Sequence, residues 1–466
     1  MFAKRDLTQG SIPRGLLGFA LPLILGNLLQ QLYNLADTWV VGRFIGEGAL
    51  AAVGSSYTLM TFLTSILLGL CMGSSVYFSI QYGRQDPDLL IPALLIAARG
   101  WRRQTALLLA ACLCAAGMVN GGLTLLLNLT VYLALDGILV LLQIPLDILG
   151  LTKEYLQWIF AGMAATFLYN FFANLLRSVG DSATPLVFLG ISVVLNIGLD
   201  ILFVVPLGMG VRGAAMATVI AQFVAGLGLF LYTWFAFPAL RVQKRHRYWD
   251  RAALKNLLNL SLFTCLQQSV MNFGILMVQG LVNSFGTAVM AAFAVAVKID
   301  TIAYMPVQDF GNAFSTFVAQ NYGAEKRDRI RTGTHWAVFW VVLFCLVIGG
   351  LVCLLAPRLM AAFVGGDAAE VIAIGTGYLR IEAAFYLGIG ILFLLYGYFR
   401  AVNRPAVSVV LTICSLGTRV LLAYTLSALP ALGVNGIWIA IPIGWFLADA
   451  TGILLWRREG KSAKTP

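Results

Sequence analysis

The stretch LLGFALPLILGNLLQQLYNLADTWVV, Leu16 to Val41, is long enough to cross a bilayer, yet it carries Asn27, Gln30, Gln31, Asn34 and Asp37. A bilayer core takes roughly 20 residues of helix. On that helix Asn27, Gln30, Asn34 and Asp37 fall at i, i+3, i+7 and i+10, which gathers them into one polar stripe. A carboxylate at the centre of a membrane helix costs about 3 kcal/mol, so it belongs against a bundle interior or a wet cavity and marks an ion or substrate path. The plainer alternative is an interfacial carboxylate satisfied by neighbouring amides. Pro22, fifteen residues before Asp37, removes a backbone hydrogen bond from the same span and is expected to serve as a hinge, or else as a static bend.

Composition carries this stretch to the whole chain. Of 466 residues, 60% are hydrophobic and 11% are charged, with a mean hydropathy of +0.87, far from the balance of a soluble domain. About twelve apolar runs are of spanning length, the divisions being least clear from Thr105 to Ile144 and from Ala288 to Val318. The first run lacks a small-residue cleavage site and is expected to stay as span 1.

The net charge of +11 would fit nucleic acid, but its distribution fits a membrane. With spans alternating from an inner N-terminus, 24 of the 31 Lys and Arg fall inside. Five fall outside (Arg43, Lys153, Arg212, Arg358, Arg380) and two, Lys298 and Arg419, fall within spans. The positive-inside rule accounts for that asymmetry, so both termini are expected in the cytoplasm, in the inner membrane, with no nucleic-acid partner. The seven cysteines lie in apolar segments without the spacing of a disulfide or zinc framework, as packing residues would.

An internal repeat organises the spans. Shifting the chain by 240 residues aligns IGEGALAAVG (Ile45 to Gly54) with FGTAVMAAFA (Phe285 to Ala294), and QYG at Gln81 with NYG at Asn321. Tyr155, Leu156 and Arg177 then match Tyr378, Leu379 and Arg400 at an offset of 223. The difference of 17 residues points to an insertion in the first half near Asp88 to Thr105, in the form of an interfacial helix. Six spans return the chain to its starting side, so the two halves are parallel, an architecture of secondary transporters. The expected fold is an all-α membrane protein of about twelve helices in two parallel six-helix repeats. Residues 1–240 form an N-lobe, 241–255 (RVQKRHRYWDRAALK) a basic cytoplasmic linker, and 256–466 a C-lobe with a cytoplasmic tail.

In the fifth span, SVVLNIGLD places Asn196 and Asp200 at i and i+4, with amide and carboxylate on one face. Elsewhere, His246 sits in the basic linker and His335 at a span entrance, without a catalytic partner pattern. REGKS near the C-terminus lacks the first glycine of a phosphate-binding loop.

The run LPLILGNLLQQLYNLADTWVVG, together with NLLRSVGDSATP, NIGLD, GVRGAAMATVIAQ and FGNAFSTFVAQNYGAEKRDRIR, resembles the multidrug and toxic compound extrusion family over nearly the whole chain outside the suspected insertion. That resemblance implies a two-lobe exporter exchanging amphiphilic, often cationic, compounds for protons or sodium ions. It assigns a first-lobe ion and substrate pocket to Asp37, Asn196, Asp200 and Thr218, with Asn34 on the same stripe. The hinge falls to Pro22, and a fourth-span tyrosine to Tyr155. A branch of the family carries a glutamate in the seventh span, where LFTCLQQSVMNFG has Gln267, Gln268 and Met271 but no acid. Second-lobe candidates are therefore Gln268, Lys298, Asp300, Asp309, Glu382 and Arg419, the last two also fitting a purely structural charge pair.

The expected function is cation-coupled multidrug efflux by a monomer without cofactor, not an enzyme. Protons are the favoured coupling ion, and sodium at Asp37, Asn196, Asp200 and Thr218 is the alternative. A lipid-linked oligosaccharide flippase would call for a strongly cationic cavity, and a membrane-embedded transferase for a catalytic His/Asp pair. Neither is evident in this sequence.

Overall fold

The computed structural model describes residues 6–84, most of 121–141, 146–237, 251–364 and 368–462. The suspected insertion near 88–105, most of the linker and the tail end beyond 462 lie outside the described residues. Helices account for nearly all of the rest: α1 (Ile12–Phe44), α2 (Glu47–Gly83), α3 (Leu135–Leu141), α4 (Leu146–Ala161), α5 (Met163–Ser178), α6 (Ala183–Val204) and α7 (Gly210–Ala236) in the first half. The second half holds α8 (Arg251–Asn283), α9 (Thr287–Gly323), α10 (Arg327–Val364), α11 (Ala369–Ala384), α12 (Tyr386–Ala401), α13 (Pro405–Ser427) and α14 (Val434–Ser462). A bilayer core leaves backbone N–H and C=O groups no partner but each other, which is why apolar runs of this length fold as helices. Polar side chains obey the same constraint. Ser56, Ser79, Thr152, Thr233 and Thr264 turn their hydroxyls back onto the carbonyl four residues earlier.

Nine helices are long and apolar enough to span a membrane, and two bent pairs, α4 with α5 and α11 with α12, bring the number to eleven among the described residues. The expected twelve would need one more span, and most of the ambiguous run from Thr105 to Ile144 lies outside those residues.

The internal repeat is visible in element boundaries. The helices α1 and α8 each have 33 residues, and α2 and α9 each have 37. Gly46 and Gly286, 240 apart, precede α2 and α9 with φ of 116° and 97°, a backbone that glycine adopts without a Cβ penalty. The bent pairs break at Gly162 and Phe385, 223 apart, by 43° and 52°. Both offsets are those of the sequence repeat.

Two compact bodies result, one of Leu21–Cys265 and one of Leu7–Ala20 with Leu266 onward. Each half therefore lends the opening turns of its first helix to the other body: Ile12–Ala20 of α1 to the second, and Arg251–Cys265 of α8 to the first. In the first body, a Cβ on Gly69 or Gly73 of α2 would collide with the α8 backbone at Cys265 or Leu260. Ser74 and Ser261 meet there at 2.9 Å, a small-residue contact suited to helices without a hydrophobic driving force between them. In the second body, Phe293 stacks on Trp438 at 5.4 Å and Tyr378 meets the same indole edge-on at 5.0 Å, tying α9, α11 and α14 together.

Candidate ion and substrate site

Four helices of the first body bring the predicted residues into one neighbourhood. Asp37 of α1, Asn196 and Asp200 of α6, Thr218 of α7 and Tyr155 of α4 are all buried, Asp200 completely. The i, i+4 spacing of Asn196 and Asp200 works as expected, since both side chains point inward from α6. Asp37 and Asp200 lie within electrostatic range of each other, and both act on the Tyr155 hydroxyl. Among the described residues, no group donates to either carboxylate oxygen of Asp200, to Oδ1 of Asp37 or to the Asn196 amide oxygen.

Tyr33, one turn before Asp37, was not among the sequence candidates. Its hydroxyl donates to Thr218 Oγ1 at 3.0 Å, while Thr218 donates to the Ala214 carbonyl at 3.1 Å. The signal available in sequence was its i, i+4 spacing from Asp37. Beside this polar group stands an apolar wall of Val40, Val41, Val204, Val211 and Ala214, with Trp158 packed against it. Such a wall lowers the local dielectric and strengthens the field of each carboxylate. Gln222, one turn beyond Thr218, accepts from the Thr166 hydroxyl of α5, extending the polar face of α7. Asn34 is only half-buried, as is Pro22 within α1.

The second body holds a different constellation. Tyr386 donates to Asp300 Oδ1 at 2.6 Å and Tyr378 to Oδ2 at 3.4 Å. Glu382, one turn beyond Tyr378, is buried with both carboxylate oxygens lacking a donor among the described residues. Arg419 acts electrostatically on Asp300 and Glu382, but among the described residues nothing bonds to either Glu382 carboxylate oxygen. The close Glu382–Arg419 pair considered from sequence is thus replaced by a looser group of two acids, one guanidinium and two tyrosines.

Lys298 requires correction. It lies on the exposed face of α9, not in a buried site with Asp300, because two residues along a helix turn the side chain through about 200°. Asp309 is buried on α9, but nine residues beyond Asp300, about 14 Å along the axis at 1.5 Å per residue. In α8, Gln267 is the buried amide and Gln268 is half-buried. Asp449 of α14 escaped sequence reasoning although it is an intramembrane acid, buried and with Oδ1 lacking a donor among the described residues. Its position in the span next to the basic tail disguised it as an end residue.

The repeat relates the two sites and exposes their asymmetry. Tyr155 and Tyr378 are 223 apart and each stands beside acids. At the same offset Arg419 occupies the place of Asn196, and the acids come from α1 and α6 in one body but from α9 and α11 in the other. Among the described residues no group of three or more His, Cys, Asp or Glu side chains is arranged to hold a metal ion.

Comparison with known proteins gives the arrangement its relatives. The chain is 30% identical over 461 residues to the probable multidrug resistance protein YpnP of Bacillus subtilis, covering 97% of this chain and 96% of that one. It is 25% identical over 471 residues to the probable multidrug resistance protein NorM of Thermotoga maritima, covering 99% and 96%. Its fold matches a crystal structure of MATE in complex with MaL6 with a TM-score of 0.88, at 23% identity over the whole of both chains. A MOP superfamily transporter from Pyrococcus furiosus, described as having a binding pocket of reverse polarity, matches at 0.86 and 24% identity over 99% and 98% of the two chains. The MatE family profile matches residues 22–99, 110–202 and 261–425, more than half of the sequence. These findings bear out the resemblance read from the motifs: the chain belongs to the MatE family.

Proposed function

We propose that the chain is a secondary active exporter of amphiphilic, preferentially cationic organic compounds, and that protons drive it through Asp37 and Asp200. The observation carrying this reading is a pair of buried carboxylates, within electrostatic range of each other, in which both oxygens of Asp200 and Oδ1 of Asp37 lack a donor among the described residues while the neighbouring Tyr33–Thr218 pair is satisfied. Buried acids without a compensating cation are costly to keep ionised, so binding a proton relieves them and binding an organic cation relieves them equally. One site then serves two competing ligands, which is the logic of exchange. Relatives named as multidrug resistance proteins support the substrate class.

Sodium is the second reading, favoured by the oxygens of Asp37, Asn196 and Asp200 that face one neighbourhood with Thr218 beside them. A sodium ion needs several such hard ligands at once, and the Thr218 hydroxyl is already engaged by Tyr33. Efflux of ethidium from proteoliposomes under separately imposed proton and sodium gradients distinguishes the two. Transport driven by a proton gradient alone is expected; transport that requires sodium and ignores the proton gradient rejects proton coupling. We place the protein in the cell membrane as a monomer, with both termini in the cytoplasm.

A further inference from the structure

Ahead of α1, residues Leu7–Gly10 lie against the corner between α9 and α10 within the second body and are gripped there by their main chain. Arg329, in the first turn of α10, donates from Nη2 to the carbonyls of Leu7 at 3.2 Å and Gln9 at 3.1 Å. Its Nη1 donates to the Gly10 carbonyl at 3.1 Å, and its Nε to Asn321 Oδ1 at 3.2 Å. Asn321 Nδ2 donates to the Leu7 carbonyl at 3.1 Å, and Lys326 Nζ to that of Thr8 at 3.2 Å. The Leu7 N–H donates to Gln320 Oε1 at 3.3 Å. Leu7 is 2% exposed and Thr8 5%, on a floor of fully buried Gln320 and Asn321. A guanidinium oriented by Asn321 and spread over three carbonyls recognises backbone, whatever side chains the segment carries.

This grip sits at a particular point of the chain. Residues Leu7–Ala20 belong to the second body, whereas α1 runs on without interruption from Leu21 through Tyr33 and Asp37 in the first. Displacement of one body against the other must be absorbed in α1 near Ala20–Leu21, next to Pro22, where a backbone hydrogen bond is already missing. If the start of α1 were loose, that displacement would be lost as movement of its free end. Held by six hydrogen bonds to its main chain, the same displacement reaches Tyr33 and Asp37.

We propose that Arg329 is a positioning residue for transport, an anchor that fixes the opening turns of α1 to the second body so that conformational change is delivered along α1 to the Tyr33–Asp37 turn. This rests on the transport function proposed above.

The test uses the full chain with Arg329→Ala, Arg329→Lys and, at the exposed Gln9, Gln9→Ala. Three quantities are measured: ethidium export from proteoliposomes, ethidium affinity in detergent, and hydrogen exchange of the amides of residues 12–20. Arg329→Ala is expected to speed exchange across 12–20 and to slow export at least tenfold, with ethidium affinity within twofold of wild type. Lysine, which reaches fewer carbonyls, should fall between. Gln9→Ala keeps every carbonyl and should behave as wild type. Wild-type export by Arg329→Ala overturns the proposal, as does unchanged exchange. Parallel loss of export, affinity and thermal stability assigns Arg329 a role in folding alone and also overturns it. A wild-type protein that exports no ethidium under either gradient overturns the transport function itself, and the failure then lies there, since the exchange measurement reads the anchor without any transport.

Discussion

Asp200 is fully buried and, among the described residues, no group donates to either of its carboxylate oxygens, a state that costs about 1–3 kcal/mol for each unsatisfied polar group. Asp37 shares that condition at one oxygen. Asp37→Asn is expected to abolish coupled efflux while leaving an expressed, folded protein, because it removes the charge that alternates between ion and substrate and keeps the shape. Asp200→Asn should act in the same way. Normal efflux by both variants at normal expression would transfer the role to Asp300 and Glu382. On the proton reading the sign of the pH effect is fixed: protonation removes the negative charge a cationic substrate meets, so affinity weakens as pH falls. Because the two acids interact, the titration belongs to the pair. Binding isotherms between about pH 5 and 8, with and without sodium, check this. Tyr33→Phe keeps the ring but deletes the 3.0 Å bond to Thr218. Its expected cost is about 1 kcal/mol of stability, read by thermal melting. Asp37, Asn196 and Asp200 were legible because polar residues stand out in apolar spans, and Thr218 only through the family resemblance. Tyr33 and Trp158 were not, since an aromatic in a membrane helix is equally at home in packing.

At the scale of elements, the informative feature is the bend. The α4–α5 pair turns at Gly162, where a Cβ would run into Val219 of α7. Gly162→Ala is therefore expected to cost about 1–3 kcal/mol through overpacking, and Val219→Ala should recover most of that loss by clearing the space. A melting series on the two single variants and the double decides it; additive destabilisation would show that the bend does not depend on this contact. The entry to α6 has a different basis. Asp181 accepts from the Thr184 N–H at 3.0 Å and from its hydroxyl at 2.7 Å, so the GDSATP run is a helix-start device. Its place among the motifs of the family resemblance thus has a basis in local folding.

For the whole molecule, the division into two bodies with exchanged helix starts sets the topology to be tested. Inner-side labelling of single cysteines at Lys464 and in the Arg241–Lys255 linker, in a cysteine-depleted protein, is expected from the Lys and Arg asymmetry. Outer-side labelling at either position would reverse it. The grip of Arg329 and Lys326 on Leu7–Gly10 fits that topology, since charge bias assigns both segments to the same side.

Sequence by itself determined the membrane setting, the repeat with its offsets of 240 and 223, and the positions of Asp37, Asn196 and Asp200 within spans. Each of these depends on composition or periodicity, which a single chain displays directly. Only the tertiary structure decided which polar residues meet. It put Lys298 on the exposed face of α9, separated Asp309 from Asp300, opened the Glu382–Arg419 pair into a group held by Tyr378 and Tyr386, and disclosed Asp449 as buried. It also gave Ile12–Ala20 to the second body. Helical periodicity fixes the face of a residue along its own helix, but the neighbour that face meets depends on how separate helices rotate and pack, and in these spans small residues such as Gly69, Gly73 and Gly162 set that approach.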